Sequence, residues 1–91
     1  MAGKGQAVID FGSTPVAEKT FTVTDAAIST TSYVEAFVMI DSTADNTVDD
    51  HRHAAASWQL TALPGTGSFE LDVTSLIDLC HGTFNIRYAY A

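Results

Sequence analysis

Between Asp41 and His53 the chain places four carboxylates and two imidazoles within thirteen residues, Asp41-Ser42-Thr43-Ala44-Asp45-Asn46-Thr47-Val48-Asp49-Asp50-His51-Arg52-His53. Metal ligation is the chemistry such a set could do. On an extended strand His51 and His53, two positions apart, present both rings to one face, and Asp49 shares it. A His, His, Asp set of that kind holds zinc or another transition ion, and Asp45, Asn46 and Asp49 could offer oxygens to calcium. The candidate metal ligands are therefore Asp45, Asp49, His51 and His53. The calcium-loop pattern is incomplete, because the glycine that its sharp turn requires is absent. The competing reading is the stronger. Acidic stretches rich in Asn and Thr between strands are ordinarily solvated loops, with His beside Asp forming a local hydrogen bond or ion pair. On that reading no cofactor is expected, and zinc or calcium belongs only to the alternative.

No catalytic set stands out elsewhere. Cys80 and His81 are adjacent, whereas a nucleophile and its base must oppose each other in space and need a third orienting group. Side chains of neighbours in extended structure point to opposite faces. Cys80 is the only cysteine, which excludes an internal disulfide and a Cys-based zinc site; a buried thiol is its expected role. Asp49 and Asp50 lack the apolar surroundings that raise a carboxyl pKa for general-acid work. Neither a Gly-rich phosphate loop nor a Ser-centred elbow is present. The expectation is a protein that is not an enzyme.

Composition narrows the partners. Four Lys plus Arg against eleven Asp plus Glu leave a formal charge of −7, and the basic residues Lys4, Lys19, Arg52 and Arg87 lie in four separate segments. Such a chain repels phosphate backbones and gains nothing from an anionic membrane, so neither nucleic acid nor membrane is expected as a partner. The start, Met1-Ala2-Gly3-Lys4-Gly5-Gln6, lacks the apolar run of a signal peptide, and no stretch reaches the length of a membrane span. Synthesis in a reducing cytoplasm fits these features. At 91 residues a single domain is expected, and so short a chain gains from a partner surface.

Strand formers must then position whatever does the work: Thr, Val, Ile, Phe and Tyr are frequent, while Leu, Glu, Lys and Arg are scarce. No amphipathic helix of useful length is expected. Ala7-Val8-Ile9-Asp10-Phe11 reads as a short first strand closed by Gly12-Ser13-Thr14-Pro15. In Thr20-Phe21-Thr22-Val23-Thr24, Phe21 and Val23 share one face, as in a half-buried antiparallel strand. Asp25 to Ser32 is a turn anchored by Ile28. Asp41 to Asp50 is the longest loop. From Ala54 to Leu63, Ala54, Ala56, Trp58, Leu60 and Ala62 alternate onto one face, which favours a strand, although Ala54-Ala55-Ala56 also suits a helix. Pro64-Gly65-Thr66-Gly67 is a turn, after which Phe69, Leu71 and Val73 complete a hairpin. Thr74 to Cys80 is one helical turn or a crossing loop. In the final segment Phe84, Ile86, Tyr88 and Tyr90 line one face. The fold class expected is all-β, an antiparallel β-sandwich or compact barrel of about six to eight short strands, with residues 1–5 a flexible arm and 6–91 the domain.

Most aromatics, Phe21, Phe37, Trp58, Phe69, Phe84, Tyr88 and Tyr90, are spread one or two per strand, as a core requires and a stacking platform does not. The strand from Tyr33 to Ile40 is different. Val34, Ala36, Val38 and Ile40 form one apolar face, and Tyr33, Glu35, Phe37 and Met39 form a second, apolar but for one charge. The strand is therefore either central and covered on both sides or has one face in an interface. If the Val34 face is core, Tyr33, Glu35, Phe37 and Met39 are the candidate partner contacts.

Four blocks also resemble a set of small proteins of tailed bacteriophages: Gly5-Gln6-Ala7-Val8-Ile9-Asp10-Phe11-Gly12, Tyr33-Val34-Glu35-Ala36-Phe37-Val38-Met39, Thr43-Ala44-Asp45-Asn46-Thr47-Val48-Asp49-Asp50-His51-Arg52 and Gly82-Thr83-Phe84-Asn85-Ile86-Arg87-Tyr88-Ala89-Tyr90. They cover most of the chain in order. The chain departs from that pattern in carrying Tyr88 and Tyr90 where members have Trp, and in a shortened Gly-rich segment before them. The resemblance implies a non-enzymatic virion structural protein, a capsid decoration or a neck or tail accessory component, present as a homo-oligomer or in symmetric multiple copies and contacting capsid or tail subunits. The alternative is a metal-containing ligand- or receptor-binding module of a tail or fibre.

Overall fold

The computed structural model describes residues 2–91. Among the described residues six strands and one helix follow one another: β1 (Gly3–Asp10), β2 (Glu18–Thr24), β3 (Val34–Val38), α1 (Val48–Ser57), β4 (Trp58–Gly65), β5 (Ser68–Ser75) and β6 (Thr83–Tyr90). They form two antiparallel sheets, ordered β1-β6-β3 and β2-β5-β4, and so an all-β sandwich. Alternation along each strand decides which side chains meet between the sheets. Ile9, Phe84, Ile86, Tyr88 and Val38 come from the first sheet and Val23, Phe69, Leu71, Val73 and Trp58 from the second, all buried. Phe11, just past β1, is the hub of the aromatic packing. Its ring meets Phe21, Trp58 and Phe84 edge-on, with centroids 5.1, 5.3 and 5.9 Å away, the geometry aromatic quadrupoles favour. No helix among the described residues is long and apolar enough to cross a membrane.

Three expectations need correction. The arm expected over residues 1–5 is largely sheet: Gly3, Lys4 and Gly5 pair with Tyr90, Ala89 and Tyr88, while Met1 lies outside the described residues. The reason is cross-strand cover. A Cβ on Gly3 or Gly5 would lie within 2.4 Å of the Tyr90 or Tyr88 hydroxyl, so each glycine makes room for a ring that lies over it. Second, Ala54 to Ser57 belongs to a helix, and only Trp58 onward is strand. Thr47 and Asp50 form a reciprocal capping box, Asp50 N–H to Thr47 Oγ1 at 3.2 Å and Thr47 N–H to Asp50 Oδ2 at 2.8 Å, and the alanines then propagate the turn. Third, the strand around Phe37 spans only Val34–Val38 and lies at the edge of its sheet. Of the two readings of this strand, central and covered on both sides or with one face free, the edge position excludes the first.

Between β5 and β6 the chain runs as a bent crossing segment rather than a helical turn. It is tied down at Cys80, which exchanges two backbone hydrogen bonds with Val16, at 2.9 and 2.8 Å. The hairpin of β4 and β5 closes with Gly65 opposite Ser68, so the turn is reduced to Thr66 and Gly67.

Candidate functional site

On the outer face of the β1-β6-β3 sheet, side chains from three strands stand in rows around an open depression. Register fixes the rows: Lys4, Ala89 and Glu35 lie side by side, then Gln6, Arg87 and Phe37, then Val8 and Asn85. Met39 continues this last row, its N–H bonding the Asn85 carbonyl at 3.0 Å. Phe37 is 46% exposed, although a phenyl ring on a strand would ordinarily be core. The Arg87 guanidinium carbon lies 5.9 Å from the Phe37 ring centroid, within the range of a cation–π contact that orients the guanidinium across the sheet. Ala89, small and flanked by longer side chains, lowers the floor. The result is an open depression of about 550 Å³ lined from all three strands and by Met39.

Charge is distributed unevenly around it. Among the described residues Arg52 pairs with Asp49 at 3.3 Å, and the Lys19 ammonium reaches the Asp10 carbonyl at 3.5 Å. Lys4 and Arg87, both lining the depression, have no carboxylate partner among the described residues.

Of the expected contact residues, Phe37 and Met39 line this depression and Glu35 stands at its border, opposite Ala89. Tyr33 lies one row further on, 82% exposed and held by a backbone pair with Ala91 at 2.8 and 2.9 Å. Sequence reasoning missed Lys4 and Arg87. Arg87 was legible as outward-facing, between Ile86 and Tyr88 in an alternating strand; that Lys4 lies diagonally beside it depends on the β1–β6 pairing, which no local signal carries.

The acidic segment turns out to be a clasp. Asp45 accepts from the Thr83 hydroxyl at 2.7 Å and the Thr83 N–H at 3.0 Å, and these two bonds hold its carboxyl below the usual carboxylate range. Buried Asn46 donates through Nδ2 to the carbonyls of His81 and Thr83, at 3.0 and 2.8 Å. Asp50, the other half of the capping box, is likewise held low, chiefly by the Thr47 N–H. His51 is fully buried. Its Nδ1 lies 2.8 Å from the Thr47 carbonyl and its Nε2 accepts from Asn85 N–H at 3.0 Å, so the Nδ1–H tautomer satisfies both and leaves no lone pair for a metal.

The four expected metal ligands are not brought together. Because Asp49, His51 and His53 lie on a helix, positions two apart diverge around its circumference instead of sharing a face. His51 points into the core. His53 pairs with Asp78 at 2.7 Å on the surface, Asp49 faces solvent with Arg52, and Asp45 is engaged by Thr83. Among the described residues no group of three or more His, Cys, Asp or Glu is arranged to hold a metal ion. No protein-family model, curated protein or solved structure matches this chain. Its function must be argued from its own geometry.

A second, smaller depression lies between α1 and the β5–β6 segment, with His53, Asp78, Ser57, Cys80 and His81 on its walls. Its chemistry is limited by how those groups are used. Cys80 is buried; its Sγ accepts from the Trp58 indole N–H at 3.2 Å and its next partner is the Asp78 carbonyl at 4.0 Å, so among the described residues no imidazole is hydrogen-bonded to it to serve as a base. The His53–Asp78 pair is 54% and 65% exposed, and an exposed pair of this kind contributes little.

Proposed function

We propose that this protein is a non-enzymatic structural module that docks onto other protein subunits through the outer face of its β1-β6-β3 sheet. The observation that carries the reading is the half-exposed Phe37, beside Met39 and Arg87, in a depression on an otherwise ordered sheet. Aromatic, Met and Arg side chains are the types enriched at protein interfaces. Consistent with the resemblance of its strand blocks to small tailed-phage proteins, the subunits it contacts are capsid or tail proteins, and the protein acts in many copies on the virion after synthesis in the host cytoplasm. No observation favours the metal-binding alternative.

Mass spectrometry of purified particles tests this reading together with a Phe37→Ser, Met39→Ser variant whose fold is checked by circular dichroism. Wild-type protein is expected in the particles, and the folded variant is expected to be lost from them. Retention of the variant at wild-type copy number would sink the docking face; absence of wild-type protein from particles would sink the virion assignment.

A further inference from the structure

We infer that the depression on the β1-β6-β3 sheet takes an extended, acidic segment of a partner protein, with carboxylates two residues apart and an apolar side chain two residues beyond them. The inference rests on the docking reading and specifies its occupant. Three features lie on one diagonal of the sheet. Lys4 is on β1, Arg87 on β6 one row further along, and Met39 follows β3 one row beyond that, next to Phe37. Diagonal neighbours on adjacent strands are separated by roughly 7–8 Å. Alternate residues of an extended peptide repeat at roughly 7 Å and point to the same side. A strand laid along the diagonal therefore presents its first side chain to Lys4, its third to Arg87, and its fifth to Phe37 and Met39.

Charge selects what those side chains are. The two cations have no carboxylate partner among the described residues, in a chain of net charge −7. Arginine already oriented against Phe37 is suited to bidentate capture of a carboxylate, and lysine to a single charged contact. The protein's overall negative charge opposes an acidic partner, but only beyond contact range. At physiological salt the Debye length is about 8 Å, so distant carboxylates are largely screened while groups in contact are not. Glu35, in the Lys4 row but two strands away, repels an acid from the opposite border and so favours the diagonal from Lys4 over a path straight across the sheet.

The test is selection of a displayed random octapeptide library on the purified full chain, followed by anisotropy titration of one selected peptide. Selected sequences are expected to carry Asp or Glu two positions apart with Leu, Ile, Met or Phe two further on. Arg87→Gln is expected to weaken the peptide at least about ten-fold and Lys4→Gln a few-fold, in variants that keep the wild-type circular dichroism spectrum. Raising salt should weaken wild-type binding and leave that of a combined Lys4→Gln, Arg87→Gln variant nearly unchanged. Neutral apolar sequences whose binding is lost in Phe37→Ser would overturn the acidic occupant while leaving the docking face standing. Sequences indifferent to both Phe37→Ser and Arg87→Gln, or no selected sequence at all, would remove both. Sedimentation showing that the chain self-associates through Phe37 would replace the partner segment with a second copy and overturn the inference.

Discussion

The segment from Asp41 to His53 and the outer face of the β1-β6-β3 sheet use their side chains in opposite ways. In the first, polar groups turn inward onto the fold: Asp45, Asn46 and His51 satisfy backbone groups of Thr83, His81 and Asn85, and Thr43 donates to the Thr83 carbonyl at 2.8 Å. In the second, Phe37, Met39, Lys4 and Arg87 point outward with no other part of the described chain above them. A stretch rich in potential ligands is thus consumed in holding β6, whose free backbone groups near its start would otherwise be left without partners. A face of ordinary strand residues remains open.

That contrast predicts a separation of effects. The largest belongs to His51→Ala, which removes a buried ring, breaks its packing on Phe84 at 5.0 Å between centroids and strands the Asn85 N–H. A loss of about 3 kcal/mol is expected in urea unfolding. An effect below about 1 kcal/mol would mean that the clasp is not structural. Next is Gly82→Ala. Gly82 has φ +72°, and an added Cβ would lie 2.5 Å from the Asp45 Cβ, so left-handed strain and a clash combine to about 2 kcal/mol.

Tyr88→Phe removes the 2.7 Å hydrogen bond to Asp25 and is expected to lower stability by about 1.5 kcal/mol. It also has a signature in alkali. Burial first, then the hydrogen bond to Asp25 and its negative charge, push the Tyr88 hydroxyl up to about 12. Between about pH 10 and that value the folded protein keeps a proton that the unfolded chain has lost. Stability is therefore full below pH 10 and declines as pH rises through 12, and the decline should be smaller in Tyr88→Phe. On the acid side the sign reverses. Asp45 and Asp50 hold their protons less tightly when folded, so their contribution is present above the usual carboxylate range and disappears as pH falls below it. Asp45→Asn should flatten the pH dependence of the melting temperature below about pH 4; an unchanged slope would show that the Thr83 bonds do not persist in solution.

The smallest stability effect is expected where the functional effect is greatest. Phe37→Ser should change urea stability by less than about 0.5 kcal/mol, since the side chain is half exposed and borders only one face of the sheet. A loss comparable to that of His51→Ala would reclassify Phe37 as core and erase the contrast.

Periodicity made the strands legible. Phe21 with Val23, Phe69 with Leu71 and Val73, and Phe84 with Ile86 and Tyr88 alternate strictly, and all face the core or its border. The split of the Tyr33–Ile40 segment into two faces was legible for the same reason. The helix was the chief failure. Its alternating alanines fit a strand as well as a helix, and the Thr47-x-x-Asp50 capping signal that could have decided the matter lay inside a stretch whose acids and histidines suggested metal binding. Phe11 continues the Ala7, Ile9 alternation of the first strand, so its inward face was legible, but that its ring meets Phe21, Trp58 and Phe84 depends on how the two sheets pack.

By itself, then, the order of residue types determined the class of fold, the face each strand turns inward and the residues Glu35, Phe37 and Met39 as an outward strip, because alternation is a property of neighbours in the chain. Tertiary structure alone decided that His51 is committed to Asn85, that Gly3 and Gly5 are sheet under tyrosine rings, and that Lys4 stands beside Arg87. Each of those depends on strand register, and register joins residues far apart in sequence through a pairing that no single segment encodes.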